Sequence, residues 1–222
     1  MPSPTMDNDA FNKLGALYPI YSGLFASAPA ASAVKVGAMI LVTDFPTPAL
    51  FTSDGTYWRP VNGSCIISQA AGSLSVPAVT GPVAGGAFTL ALPKPILIPA
   101  GLLIPGQSTI DVLALFTKIG SAAAINASMW MGTANNQTDS LLASNSMGTG
   151  THYPAQFTLS VAASGRVSVQ SVNGANVIAA NATTDGTTNI NTAAAMNINF
   201  GSAASTAPDG LNLLRYRVEL NQ

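Results

Sequence analysis

The chain has 222 residues, of which 48% are hydrophobic and 8% charged, with a formal net charge of -1. Soluble domains ordinarily carry about 25% charged residues, so a mean hydropathy of +0.36 implies a surface of Thr, Ser, Asn and Ala that lacks the charge repulsion separating monomers. This balance excludes an electrostatic footprint for nucleic acid or for an anionic membrane surface, and one cysteine, Cys65, excludes an intrachain disulfide framework.

The apolar excess is expected to be buried between subunits of a larger assembly. Residues 1–33 read as an attachment helix and a linker. Asp9 can cap a helix in which Phe11, Leu14, Leu17 and Tyr18 recur at helical spacing, and Pro19 stops it. About 12–15 residues are marginal for an isolated helix in water, so this shorter one is expected to pack on the rest of the chain or on a neighbour. Asp7 and Asp9 stand where a secretory leader would be basic, so synthesis in a cytoplasm is expected. Helix capping also explains this acidic pair better than a calcium loop, because no further oxygen ligands follow it. The Ala/Ser/Pro run at 26–33 reads as a linker.

Residues 34–64 read as a three-stranded β-meander. A strand over 36–43 is followed by a proline-rich turn. Two further strands then flank Asp54-Gly55, a pair suited to a two-residue type I′ turn. Residues 65–87, rich in Gly, Ala, Ser and Pro, read as an extended connector. The apolar stretch 91–104 is broken by Pro93, Lys94, Pro95 and Pro99, whereas a membrane-spanning helix needs roughly 20 apolar residues in a row. No membrane insertion is expected.

Residues 88–222 read as an antiparallel β-sandwich, jelly-roll-like. Apolar runs occupy 108–117 and 127–133. Period-two alternation recurs at Phe157, Leu159 and Val161, at Val167 and Val169, at Met196, Ile198 and Phe200, and at Leu214, Tyr216, Val218 and Leu220. The fold class is therefore all-β, a small N-terminal helix and meander preceding the sandwich.

Materials for catalysis are few, and no enzymatic activity is expected. His152 lies in a Gly/Thr-rich stretch with no nucleophile elbow nearby and reads as a loop histidine. One His and one Cys do not supply a zinc ligand set, so no metal is expected. Gly148-x-Gly150 is a lone glycine pair without a following helix, and no cofactor is expected. A carboxylate pair could serve a polysaccharide hydrolase. Asp54, Asp139, Asp185 and Asp209, however, read as turn acids, and Asp111 in its strand is one position, not two. Four Asn-x-Ser/Thr sequons, at Asn62, Asn126, Asn136 and Asn181, follow from composition. A carbohydrate-binding surface has more material. Trp130 lies near polar segments carrying Asn135, Asn136, Asp139, His152 and Tyr153, although a core position for Trp130 is the favoured reading.

The strings Gly37-Ala-Met-Ile-Leu-Val-Thr-Asp44 and Ser53-Asp-Gly-Thr-Tyr-Trp-Arg-Pro60 resemble a motif in tail-fibre and baseplate-associated proteins of tailed bacteriophages. There the motif joins an attachment region to a distal domain. The ending Leu213-x-x-Tyr216-x-Val218-Glu219 is similar, more loosely, to sandwich domains of phage head and tail proteins. The resemblance implies a virion protein forming a homotrimer. Its N-terminal region, through Phe11, Leu14, Leu17 and Tyr18, would dock on other tail or baseplate proteins. Its sandwich would meet a host surface glycan or protein. No fibrous shaft or chaperone segment is recognisable, so the expected object is a short tail fibre or tail-tip receptor-binding protein. The competing expectation is an architectural head-decoration or baseplate component that binds no receptor.

Overall fold

The computed structural model describes residues 20–76, 96–119, 125–134, 139–147, 152–164, 166–173, 184–189, 191–204 and 210–222. The helix expected before Pro19, with Phe11, Leu14, Leu17 and Tyr18, lies outside them. The described residues form strands joined by turns, with two 3₁₀ turns at Phe25–Ser27 and Ala31–Ala33. The protein is all-β. Among the described residues no helix is long and apolar enough to cross a membrane. The chain divides into two compact units, Met1–Cys65 and Ile66–Gln222.

The first unit is a sheet in the order β1 (Ile20–Gly23), β2 (Met39–Val42), β3 (Ala49–Ser53), β4 (Trp58–Pro60). The last three are the expected meander, although β2 is shorter than the 36–43 run. The fourth, β1, pairs in parallel with β2, from Ile20 against Met39 to Gly23 against Val42. Parallel neighbours need a crossover of about a dozen residues or more, and residues 24–38 supply it. The run read as a linker is thus a packed connection. Phe25 and Ala31 are buried in it. Ser53 Oγ donates to the Ala31 carbonyl at 2.9 Å, and Trp58 Nε1 donates to that of Pro29 at 2.9 Å. Phe25 lies edge-on to Phe51 at 5.4 Å, and Phe45 stands 6.1 Å from Phe51. Each buried ring contributes roughly 1.5–3 kcal/mol.

The turn between β3 and β4 differs from the expected type I′ turn. Ser53 pairs with Trp58, so the loop has four residues, 54–57. The Asp54 carboxylate is the cause. Its Oδ1 accepts the N–H groups of Thr56 at 2.8 Å and Tyr57 at 2.7 Å, which opens the loop. Its Oδ2 meets Arg59 Nε at 2.5 Å. Gly55 takes φ +93°, where a side chain would be strained.

The second unit holds two sheets. One has six strands in the order β12 (Thr184–Asn189), β11 (Arg166–Asn173), β10 (His152–Val161), β7 (Thr109–Ile119), β14 (Gly210–Asn221), β5 (Ser64–Val76). The other has four, in the order β6 (Ile96–Ile98), β13 (Met196–Ala204), β8 (Ile125–Gly132), β9 (Ser140–Met147). Strands β7, β8, β10, β11, β13 and β14 lie where apolar runs or alternation place them. Strand β5 occupies residues that composition reads as a connector. Strand β9 carries no apolar run or alternation that predicts it from the sequence.

One face of each sheet is apolar. On β7 the inward residues are Ile110, Val112, Ala114 and Phe116, and on β10 they are Ala155, Phe157, Leu159 and Val161, all buried. On the second sheet Met129 pairs with Phe200 and Met131 with Ile198. The sheets meet where Phe116 lies edge-on to Phe200 at 5.7 Å. A bulge in β14 between Leu213 and Arg215 buries Leu213, where unbroken alternation predicts Leu214. An irregular stretch adds Leu102, Leu103 and Ile104 to the core. It is held by Ser108 Oγ, which accepts the Ile104 N–H at 2.7 Å.

The Asp54 loop makes the first unit's stability dependent on pH. The Tyr57 N–H is the largest influence on the carboxyl; slight burial opposes it, and the Thr56 N–H and Arg59 add to it. The net effect holds the carboxyl below its ordinary value of 3.8. A group with a depressed folded pKa stabilises above its unfolded pKa, and that contribution is lost as pH falls through the folded value. Denaturant unfolding of the wild type and of Asp54→Asn should therefore show a stability gap that narrows as pH drops below about 4. A gap that stays constant would contradict the assignment.

Candidate functional site

Among the described residues, those singled out in the sequence fall at separate places in the second unit. Trp130 lies in β8, 8% exposed, on the face of its sheet opposite the Phe200 contact. Its cross-strand partner is Asn199 of β13. Alternation predicts Asn199 to be solvated, yet it is fully buried. Its Nδ2 donates to Asp139 Oδ2 at 3.2 Å, and Asp139 Oδ1 accepts the Ala134 N–H at 2.9 Å. Asn199 thereby joins Trp130 and Asp139 in one cluster. The Asn199 Oδ1 atom is buried without a hydrogen bond.

Asn135 and Asn136 lie outside the described residues. His152 and Tyr153 belong to β10 rather than to a loop. Consecutive strand residues face opposite ways. His152 is exposed, whereas Tyr153 shares the side of Ala155 and Phe157 and has its hydroxyl buried without a partner. Asp111 is half-buried and engaged, accepting Thr158 Oγ1 at 2.6 Å and Asn221 Nδ2 at 3.0 Å. Glu219 faces it across the β7–β14 ladder. That juxtaposition was hidden in the sequence because the two acids are far apart along the chain. Glu219 in turn accepts Arg217 Nη2 at 2.7 Å.

The site that sequence reading missed is a trough on the outer face of the six-stranded sheet, with a volume of about 750 Å³. It runs across four consecutive strands, β10, β7, β14 and β5. The inward set on β7 forces Leu113 and Leu115 outward, and both line the trough. Leu113 is 44% exposed, a large apolar side chain facing solvent in mid-sheet. Register sets Pro154, Leu115 and Arg215 in one row across the strands, and Gln156, Leu113 and Arg217 in the next. Gln69 and Ala70 of β5 line the trough beyond β14. His152 is two residues before Pro154 on the same face of β10. Chemically the trough offers an aliphatic floor, side-chain amides and two guanidinium groups, a combination suited to binding through apolar contact and charge-assisted hydrogen bonds.

The Trp130–Asn199–Asp139 cluster depends on a residue without a side chain. A Cβ on Gly132 would lie 2.2 Å from Asp139 Oδ1 and 2.9 Å from its Cβ, too close for rotation of the carboxylate alone to relieve. Gly132→Ala should lower the unfolding free energy by about 1–3 kcal/mol, through overpacking and the loss of partners to a buried amide. In an Asp139→Gly background the same substitution should cost less than about 0.5 kcal/mol. Equal costs in both backgrounds would place the strain elsewhere.

No family model matches the chain, and no curated protein matches it. Among solved structures, a protein of unknown function from Shewanella oneidensis MR-1 is similar at 12% identity. The match covers 100% of this chain and 97% of that one, with a TM-score of 0.28. The likeness is too distant to carry fold or function.

Proposed function

We propose that the protein is a virion subunit of a tailed bacteriophage, a short tail fibre or tail-tip receptor-binding protein that attaches the particle to its host. In this reading the second unit is an antiparallel β-sandwich of jelly-roll type, presented outward. In the same reading the N-terminal segment carrying Phe11, Leu14, Leu17 and Tyr18 docks on other tail or baseplate proteins. The observation that carries the receptor-binding role is the trough, a concave surface with an aliphatic floor and a cationic rim on a face whose side chains do not serve the core. The motif around Asp54 and Trp58 supports the phage assignment by resemblance.

A second observation favours assembly. In the first unit Leu41 pairs with Leu50, and the Val61 N–H donates to the Leu50 carbonyl. These three apolar residues thus form a row across the sheet, 37%, 39% and 50% exposed. With so few charges on the chain, a row of this kind suits burial in a homotrimer or against a neighbouring virion protein. If the trough binds nothing, the architectural alternative takes over: a head-decoration or baseplate component whose only contacts are of this sort.

Light scattering coupled to size exclusion should give a stable mass near three times the 22.5 kDa chain, and the purified protein should bind saturably to susceptible bacteria. A trimer that binds no cells would favour the architectural reading. A monomer that binds none would remove the support for both parts of the proposal. Deleting residues 1–18 should leave the oligomer and its cell binding intact while abolishing incorporation into particles; incorporation of the truncated chain would refute the docking role.

A further inference from the structure

The trough's chemistry narrows the class of ligand. Each register row runs from β10 through a leucine to a guanidinium: Pro154, Leu115, Arg215 and then Gln156, Leu113, Arg217. The two arginines are two residues apart on one strand, about 6.6 Å along it. They are not equivalent. Arg217 is oriented by Glu219 at 2.7 Å, whereas Arg215 is exposed and its guanidinium makes no hydrogen bond or ion pair with the described residues. Its planar fork of N–H donors is matched to a carboxylate taken in bidentate fashion. Among the described residues no acidic side chain lines the trough to compete for it.

The other lining groups restrict the body of the ligand. Gln69 and Gln156 supply amides, each able to donate and accept, as hydroxyl groups require. Leu113 and Leu115 offer an aliphatic floor against which the C–H faces of sugar rings can lie. A volume of about 750 Å³ is within the range of pockets that enclose small organic ligands. A strand-adding peptide would need a free sheet edge, but Leu113, Leu115, Arg215 and Arg217 belong to β7 and β14, both paired on each side, and only Gln69 and Ala70 come from the edge strand β5. Nucleic acid would need a far larger array of cations than two arginines on a chain of net charge -1.

We infer that the trough binds an acidic saccharide, with a sugar carboxylate held by Arg215, the second guanidinium and the glutamine amides on the flanking groups, and ring faces on Leu113 and Leu115. This rests on the receptor-binding reading and specifies its ligand. The test is titration of the full chain with three probes: trigalacturonate, a hyaluronan tetrasaccharide and sialyllactose. Fully methyl-esterified trigalacturonate, which keeps the rings and loses the charge, and hexaglutamate, which keeps the charge and loses the rings, are the controls.

At least one acidic saccharide should bind, at least about tenfold more tightly than either control, and should weaken with added salt. Arg215→Gln should weaken that binding by about tenfold or more without moving the thermal midpoint, and Leu113→Asp should also abolish it. Failure of all three saccharides to bind, equal binding of the ester or of hexaglutamate, or unchanged affinity in Arg215→Gln would each overturn the inference. Cell adsorption separates this outcome from failure of the broader proposal. If Arg215→Gln adsorbs to bacteria as well as wild type does, the acidic-saccharide inference falls while receptor binding stands. If wild type adsorbs to none, the receptor reading itself falls.

Discussion

The edge-to-face contact of Phe116 with Phe200, at 5.7 Å, ties the two sheets of the second unit together. Both rings are fully buried, and each sits in the middle of an alternating strand. Once Phe116 faces the other sheet, the pleat of β7 sends Val112 and Ile110 the same way and turns Leu113, Leu115 and Asp111 outward. Register then aligns the outward residues of β10 and β14 beside them. The trough is therefore a consequence of how the core is packed: the same alternation that buries one leucine or valine exposes its neighbour. A one-residue slip in β7 would exchange the two sets.

The outer face is organised in bands. Nearest one end, Asp111, Thr158, Glu219 and Asn221 form a hydrogen-bonded polar band in which Glu219 also holds Arg217. The trough follows, with its leucines and Arg215. His152 lies beyond it, with Thr117 and Asn212 in the same cross-strand row. Polar bands on either side of an aliphatic floor keep that floor narrow, which limits nonspecific association on a chain with little charge to repel its copies. The first unit has a different arrangement. Its buried side is closed by the crossover of residues 24–38, and its other side keeps the Leu41–Leu50–Val61 row in solvent. The features proposed for assembly and for ligand capture thus fall on separate units.

Legibility in the sequence followed the strength of local pattern. Strands β10 and β13 were plain because Phe157, Leu159 and Val161, and Met196, Ile198 and Phe200, alternate without interruption. Strand β5 was not, because Ser, Ala and Gly give a weak hydrophobic signal, and its place is set by pairing with β14. The 26–33 run, part of the 24–38 crossover, reads as a linker for a similar reason: its Ala and Pro residues are packed by Ser53 and Trp58, which lie elsewhere in the chain. At Asp54 a familiar dipeptide misled. The preference of Asp-Gly for a two-residue turn lost to the hydrogen bonds that the Asp54 carboxylate makes to Thr56 and Tyr57. Asn199 defeated alternation outright, because the far side of its sheet is covered at that point and an amide there is buried too.

Composition and periodicity by themselves determined that this is an all-β chain with few means of covering itself by charge, and they located most of the long strands. Those properties are local or additive, so they survive in a one-dimensional reading. Tertiary structure alone decided that Trp130 joins Asp139 through a buried asparagine and that His152 and Tyr153 part company across a sheet. It also decided that Arg215 and Arg217 stand beside Leu113, Leu115 and Pro154. Each of these depends on strand register and on which face turns to the core, and register is set by contacts between residues as far apart in the chain as Asp111 and Glu219.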